Sequence, residues 1–133
     1  MLRAVPFTLP NLFTDGIEGP GCDREGNLYA VNYQRQGTIG KVTPSGESSL
    51  FIDLPEGSIG SGIRFHHDGR MFIADYAGHN IYQVEMQSRA LSIYAHEPSL
   101  HQPNDLAISA HGVLYASDPD WATETGRIWR VGT

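Results

Sequence analysis

The chain has 133 residues, of which 40% are hydrophobic and 18% charged, with 15 Gly and 8 Pro. That balance suits a turn-rich globular β protein and excludes a disordered chain. Its net charge of −6, with no basic cluster, excludes nucleic acid as a fitting partner and favours cations. No segment approaches the apolar length of a membrane span, and no small-residue cleavage site follows Met1–Phe7, so no membrane association is expected and a cytoplasmic home is. The single cysteine, Cys22, has no internal disulfide partner and is expected to be a small buried thiol.

In chain order, Val5–Leu9 comes first and reads as a short strand, with residues 4–10 expected to be an outer strand completing another blade. Three copies of one pattern follow, over about 16–54, 59–97 and 102–133. The turn glycines stand at Gly26, Gly69 and Gly112 and the aromatics at Tyr29, Phe72 and Tyr115, each series stepping by 43 residues. Each copy opens with two strands around a tight turn: Glu25-Gly26-Asn27, Asp68-Gly69-Arg70 and His111-Gly112-Val113. Third strands are expected at Gly40–Val42, Asn80–Val84 and Gly126–Val131, and fourth strands at Ser49–Leu54 and Ala90–Ala95. The third copy has no fourth strand, ending at Thr133.

Four strands per roughly 40 to 45 residues is the period of a β-propeller blade, and propellers close with about 4 to 8 blades. The expected fold is therefore all-β: a single domain of three four-stranded blades, half of a six-bladed ring. A half ring leaves blade faces without neighbours. Two closures are open: a homodimer in which each N-terminal strand completes the partner's third blade, or a longer chain of which this is the first half. The spare first strand and the open third blade match one another and favour the dimer.

Chemistry is expected where the repeats differ. Glu18, Ser61 and Asn104 begin the three inner strands, which line a propeller's channel, so their side chains should converge at one mouth. The second strands return to the same rim and bring Asn32, Asp75 and Asp118 there. Such an oxygen-rich mouth suits a hard divalent cation. Asp75 and Asp118 have a local alternative, hydrogen bonding to nearby backbone amides. Trp121, in the longest connection between second and third strands, stands on this rim either as a substrate cover or as a packing residue. Trp129, in a strand, reads as inter-blade packing. His101 precedes the third inner strand and is a candidate proton acceptor, whereas His66 and His67 fall in a far turn expected to be solvated. Ser61 lacks a nucleophile-elbow context, which argues against a serine hydrolase.

Ile17-Glu18-Gly19-Pro20, Gln102-Pro103-Asn104-Asp105-Leu106-Ala107, the run His111–Pro119 and Gly126–Val131 resemble the gluconolactonase, regucalcin and lactonase family of six-bladed propellers. The resemblance covers nearly the whole chain and the first three blades of that fold. It implies a divalent metal at the channel mouth, calcium foremost with zinc or magnesium as alternatives, which polarises a lactone carbonyl while a carboxylate activates water. It implies that Glu18 is a metal ligand, that Asn104 faces substrate or metal, and that Asp105 matches a position holding a deeper structural calcium. Gln102 stands where sugar-lactone members often place a substrate-contacting arginine. The family's remaining ligands come from the fourth and fifth blades; in a dimer those positions would hold Glu18 and Ser61 of the partner subunit.

Two functions follow as expectations. The first is a metal-dependent hydrolase of a small-molecule lactone or sugar-acid ester. Its metal set is Glu18, Asn104 and Asp105, its substrate contacts are Asn104, Gln102, Asp118 and Trp121, and its general base is unidentified. The second is a non-catalytic binding or assembly module, or a fragment of a longer propeller enzyme.

Overall fold

The computed structural model describes residues 1–132, and these contain strands and turns but no α-helix. Among the described residues, no helix is long and apolar enough to cross a membrane. Among the described residues, eleven strands form three antiparallel sheets. The first blade holds β1 (Gly21–Cys22), β2 (Leu28–Val31), β3 (Thr38–Val42) and β4 (Ser48–Asp53). The second holds β5 (Gly60–Phe65), β6 (Met71–Asp75), β7 (Asn80–Glu85) and β8 (Ala90–His96). The third holds β9 (Leu106–Ile108), β10 (Leu114–Asp120) and β11 (Thr125–Val131), each strand in every blade pairing with the next in sequence. Thr133, the last residue of the third repeat, lies outside the described residues.

The 43-residue period has a backbone cause. Gly26, Gly69 and Gly112 have φ of 82°, 96° and 79°, the left-handed region in which a side chain is strained. The turns are superposable in their bonds: Gly26 N donates to Asp23 O, Gly69 N to His66 O and Gly112 N to Ser109 O, at 3.3, 2.9 and 2.9 Å. A register-fixing turn at the same place in each copy gives each blade the same first hairpin.

Two apolar layers fill the gaps between blades. Tyr29, Val31, Ile39, Phe51, Ile63 and Ile73 are among the buried residues between the first and second, and Phe72, Ala74, Ile81, Leu106, Leu114 and Ala116 among those between the second and third. The aromatic repeat position shows what a neighbour does. Tyr29 and Phe72 are each 2% exposed beneath the following blade, whereas Tyr115, with none following, is 36% exposed. Ile128, cross-strand from Ser117 on the same sheet, is 76% exposed. A large exposed apolar face of this kind marks a surface made for contact.

Several local expectations need correction. The first inner strand does not begin at Glu18; pairing is confined to Gly21–Cys22, because Gly19 takes φ of 59° and Pro20 has no N–H to donate. Cys22 is exposed, not buried, since β1 has so short a ladder. His66 is partly buried, stacked on His67 with ring centroids 3.9 Å apart and edge-on to Phe72, so that turn is not simply solvated. Residues 4–10 form no strand within this chain, and Val5, Phe7 and Leu9 are exposed.

Candidate functional site at the inner-strand mouth

The inner strands approach so closely that side chains are excluded between them. A Cβ on Gly19 would lie 1.9 Å from the Ser61 carbonyl oxygen, and one on Gly62 would lie 2.6 Å from that of Asn104. Glycine at these positions, one repeat apart, lets consecutive blades converge. The Gly62 N–H donates to Asn104 O at 2.7 Å, and the Ser61 hydroxyl donates to the carbonyls of Pro103 and Asn104, each at 2.9 Å. The second and third blades are thus tied together at the channel.

Beside this seam lies a cavity of about 220 Å³. Its walls include Ser61 from β5, Glu18 and Asn104 from the segments preceding β1 and β9, Asn32 from the first blade, and Gln36, Tyr76 and Trp121 from the three connections between second and third strands. Glu18 is its one charged wall residue, and no Lys, Arg or His lines it. Glu18 is exposed and its backbone carbonyl accepts from Val31 N at 3.3 Å, holding it beside the strand that follows. A larger cavity, about 610 Å³, lies at the opposite rim among the first-hairpin turns, with Cys22, Arg24, His66, His67 and Asp68 in its walls, far in the repeat from the inner-strand starts.

Of the three residues expected at the mouth from the second strands, only Asn32 is on the cavity wall, and all three fasten their own loops. Asn32 donates to Gly16 O at 2.8 Å and accepts from Gly37 N at 3.2 Å. Asp75, fully buried, accepts from the Ser58 hydroxyl, Ile59 N, Gly78 N and the Asn80 amide, each at 3.0 Å. Asp118, 3% exposed, accepts from His101 N at 2.9 Å, Gln102 N at 2.7 Å and the Trp129 indole at 2.8 Å. Both of its oxygens are engaged, and it is not on the cavity wall. The chemistry is that of the local alternative: a short carboxylate gathering backbone donors that would otherwise be buried without partners. Trp129 packs at the core between the second and third blades, while its N–H serves this network.

The remaining candidates divide. Gln102 is not on the cavity wall; its Oε1 accepts from Trp121 N at 3.4 Å and so supports the loop that is. His101 places Nδ1 2.8 Å from Asp120 Oδ2, two residues along from Asp118, and is likewise off the wall. Hydrogen bonding from Thr123, with His101 adding to it, holds the Asp120 carboxyl below the usual carboxylate range. Asp105 follows Asn104 but projects elsewhere, 3.7 Å from Arg64 Nη2 and outside the cavity. Among the described residues, no three His, Cys, Asp or Glu side chains come together as a metal cluster. Gln36, Ile59 and Tyr76 were not singled out in the sequence; their one signal is position, just beyond a second strand or just before an inner one.

No family model matches this chain. It is 25% identical to a gluconolactonase from Zymomonas mobilis over 78% of this chain and 33% of that protein. In three dimensions it is similar to a gluconolactonase from Xanthomonas campestris, with a TM-score of 0.74 at 14% identity over 87% of this chain and 43% of the other. It is similar too to regucalcin, a calcium-binding protein from Agrobacterium tumefaciens, with a TM-score of 0.71 at 14% identity over 87% and 45%. The chain thus spans about a third of the length of the curated relative and under half of these structures. It is a partial β-propeller of three blades, similar to gluconolactonase in sequence and to gluconolactonase and regucalcin in fold.

Proposed function

We propose that these three blades are part of a divalent-metal-dependent hydrolase of a lactone or similar small ester, working at the channel mouth. The observation that supports this is the convergence of Glu18 and Asn104, from the first and third blades, on one cavity. The curated gluconolactonase likeness supports the substrate class.

A carboxylate and an amide oxygen are the donor types a hard cation takes, and calcium takes roughly six to eight of them. Glu18 and Asn104 therefore fit as part of a shell that other blades complete, with calcium as the first choice and zinc or magnesium as alternatives. A bound divalent ion would supply charge to stabilise the developing oxyanion of the opening ester. Glu18 would anchor that charge. Asn104 would orient the reacting carbonyl, its own backbone held by Ser61 and Gly62. Asp105, paired towards Arg64, is left out of this set.

We place the missing half of the wall in a second copy of the chain. The exposed Tyr115 and Ile128 face is what a following blade covers in the first two repeats, β11 has a free outer edge, and Val5–Leu9 is an alternating segment with no partner strand in its own chain. One observation favours the second reading, a non-catalytic module: the cavity offers only one carboxylate and no histidine to activate water.

Three measurements separate the two. Light scattering with and without calcium should give a dimer near twice the chain mass of 14.6 kDa. Calorimetry should show calcium binding that Glu18→Gln weakens at least about tenfold, the scale of one lost charged ligand. Lactone opening followed by acid release should require the metal. Cation binding without turnover supports the module, and a monomer that binds no cation overturns the hydrolase.

A further inference from the structure

Two aromatic rings from different blades, Tyr76 and Trp121, line the cavity without a part in the metal site. Trp121 is 60% exposed, yet the chain on both sides of it is fastened. Its N–H reaches Gln102 Oε1, the preceding Asp120 holds His101, and Asp120 Oδ1 accepts from Ala122 N at 3.1 Å and Thr123 N at 3.3 Å. Behind these, Asp118 gathers the His101 and Gln102 amides. An apolar ring held in water by a fixed backbone gains little from its own fold, and its usual return is contact with a ligand.

Tyr76 is positioned by the same device in the second blade. It directly follows Asp75, whose four donors fix the loop, and its own N–H donates to Ile59 O at 3.0 Å. Gly78 belongs to this device, because a Cβ there would lie 2.1 Å from Asp75 Oδ2. Asp75 and Asp118, one repeat apart, are positioning residues for the two aromatic walls.

We propose that Tyr76 and Trp121 form an aromatic subsite for the aliphatic face or alkyl substituent of an uncharged lactone. The metal-free cavity rejects lactones that carry a carboxylate or phosphate, because its single charged wall residue is Glu18 and no Lys, Arg or His on the wall offsets it. The identity of the reacting group rests on the hydrolase reading above; the subsite rests on the two rings and the charge of the wall.

The test is binding, followed without turnover on the 133-residue chain with divalent metal removed by chelation. The probes are γ-nonanoic lactone, γ-butyrolactone and a γ-lactone bearing a ring carboxylate, and the readout is the indole N–H resonances in nitrogen-15 NMR spectra. Trp129, whose N–H is held by Asp118, is the internal control. The alkyl lactone should move the Trp121 resonance and leave Trp129 in place, and should bind more tightly than γ-butyrolactone. The carboxylate-bearing lactone should move neither. Trp121→Ala, followed through methyl and backbone resonances, should weaken the alkyl lactone about tenfold, the scale of one buried aromatic contact. Tyr76→Ala should do the same, and Tyr76→Phe should retain binding and check that the loop survives. An unmoved Trp121 resonance, equal binding of the charged lactone, or undiminished binding in Trp121→Ala overturns the subsite. The expected binding pattern, with no lactone opening once calcium is restored, sustains the subsite and overturns the hydrolase.

Discussion

The Ser61 hydroxyl donates to the Asn104 carbonyl at 2.9 Å, joining the inner strands of the second and third blades beside the candidate site. Ser61 is 4% exposed, and its oxygen also reaches Pro103 O. Ser61→Ala removes the donor while Gly62 N still serves Asn104, so the expected loss of stability is about 1 to 2 kcal/mol. Urea unfolding monitored by fluorescence checks this.

The adjacent glycine is less forgiving. In Gly62→Ala the new methyl meets Asn104 O at 2.6 Å and the Asp105 Cα at 2.9 Å, both backbone atoms that cannot swing aside. A loss of about 3 kcal/mol is expected from forcing the blades apart. Gly126→Ala is the control, since its methyl would sit no closer than 3.7 Å to any atom and its midpoint should stay within about 0.5 kcal/mol of the parent.

Asp75→Ala strands the Ile59 and Gly78 amides and the Asn80 side chain in a buried loop. The expected cost is about 3 kcal/mol, the scale of leaving buried donors unpaired. Hydrogen exchange should show Tyr76 N–H, which donates to Ile59 O, losing protection more than the strand β6 that precedes it. Uniform loss of protection would instead mean that Asp75 supports the whole blade rather than its loop.

Alkaline pH should unfold the protein through Tyr29. Burial, first, and the hydrogen bond to Asp23 push its phenol well above the ordinary range, because the folded state favours the neutral form. An unfolded phenol ionises near pH 10, so the stabilisation is complete below about pH 10 and is lost progressively above it. Tyr29→Phe should be less stable at neutral pH but lose less of its stability between about pH 9.5 and 11 in thermal scans. An unchanged pH slope would remove Tyr29 from the alkaline transition.

Ring closure is tested on the open face of the third blade. Tyr115 is exposed in the single chain, so Tyr115→Glu should leave the fold intact and change its stability by no more than about 0.5 kcal/mol. In light scattering it should convert the proposed dimer to monomer, because a charge would have to be desolvated in the new contact. A dimer that persists would place the partner elsewhere.

The sequence by itself determined the blades, because each depends on local requirements. A left-handed turn needs Gly26, Gly69 and Gly112, and alternation across the following strand fixes which residues face the next sheet. The repeat also marked Glu18, Ser61 and Asn104 as residues that share a wall, since equal positions in consecutive blades point to one axis. It could not distribute the polar groups at that rim. Asn32, Asp75 and Asp118 have the same residue chemistry as ligands, and only the three-dimensional placement of loop amides around them engages their oxygens and leaves Asp75 and Asp118 off the cavity wall. Asp105 and Asn104 are neighbours in sequence, but they project in different directions, and only one reaches the cavity. Tyr76 and Gln36 had no motif at all. Tertiary structure decided their role, because a cavity is built by segments distant in sequence and its walls have no local signature.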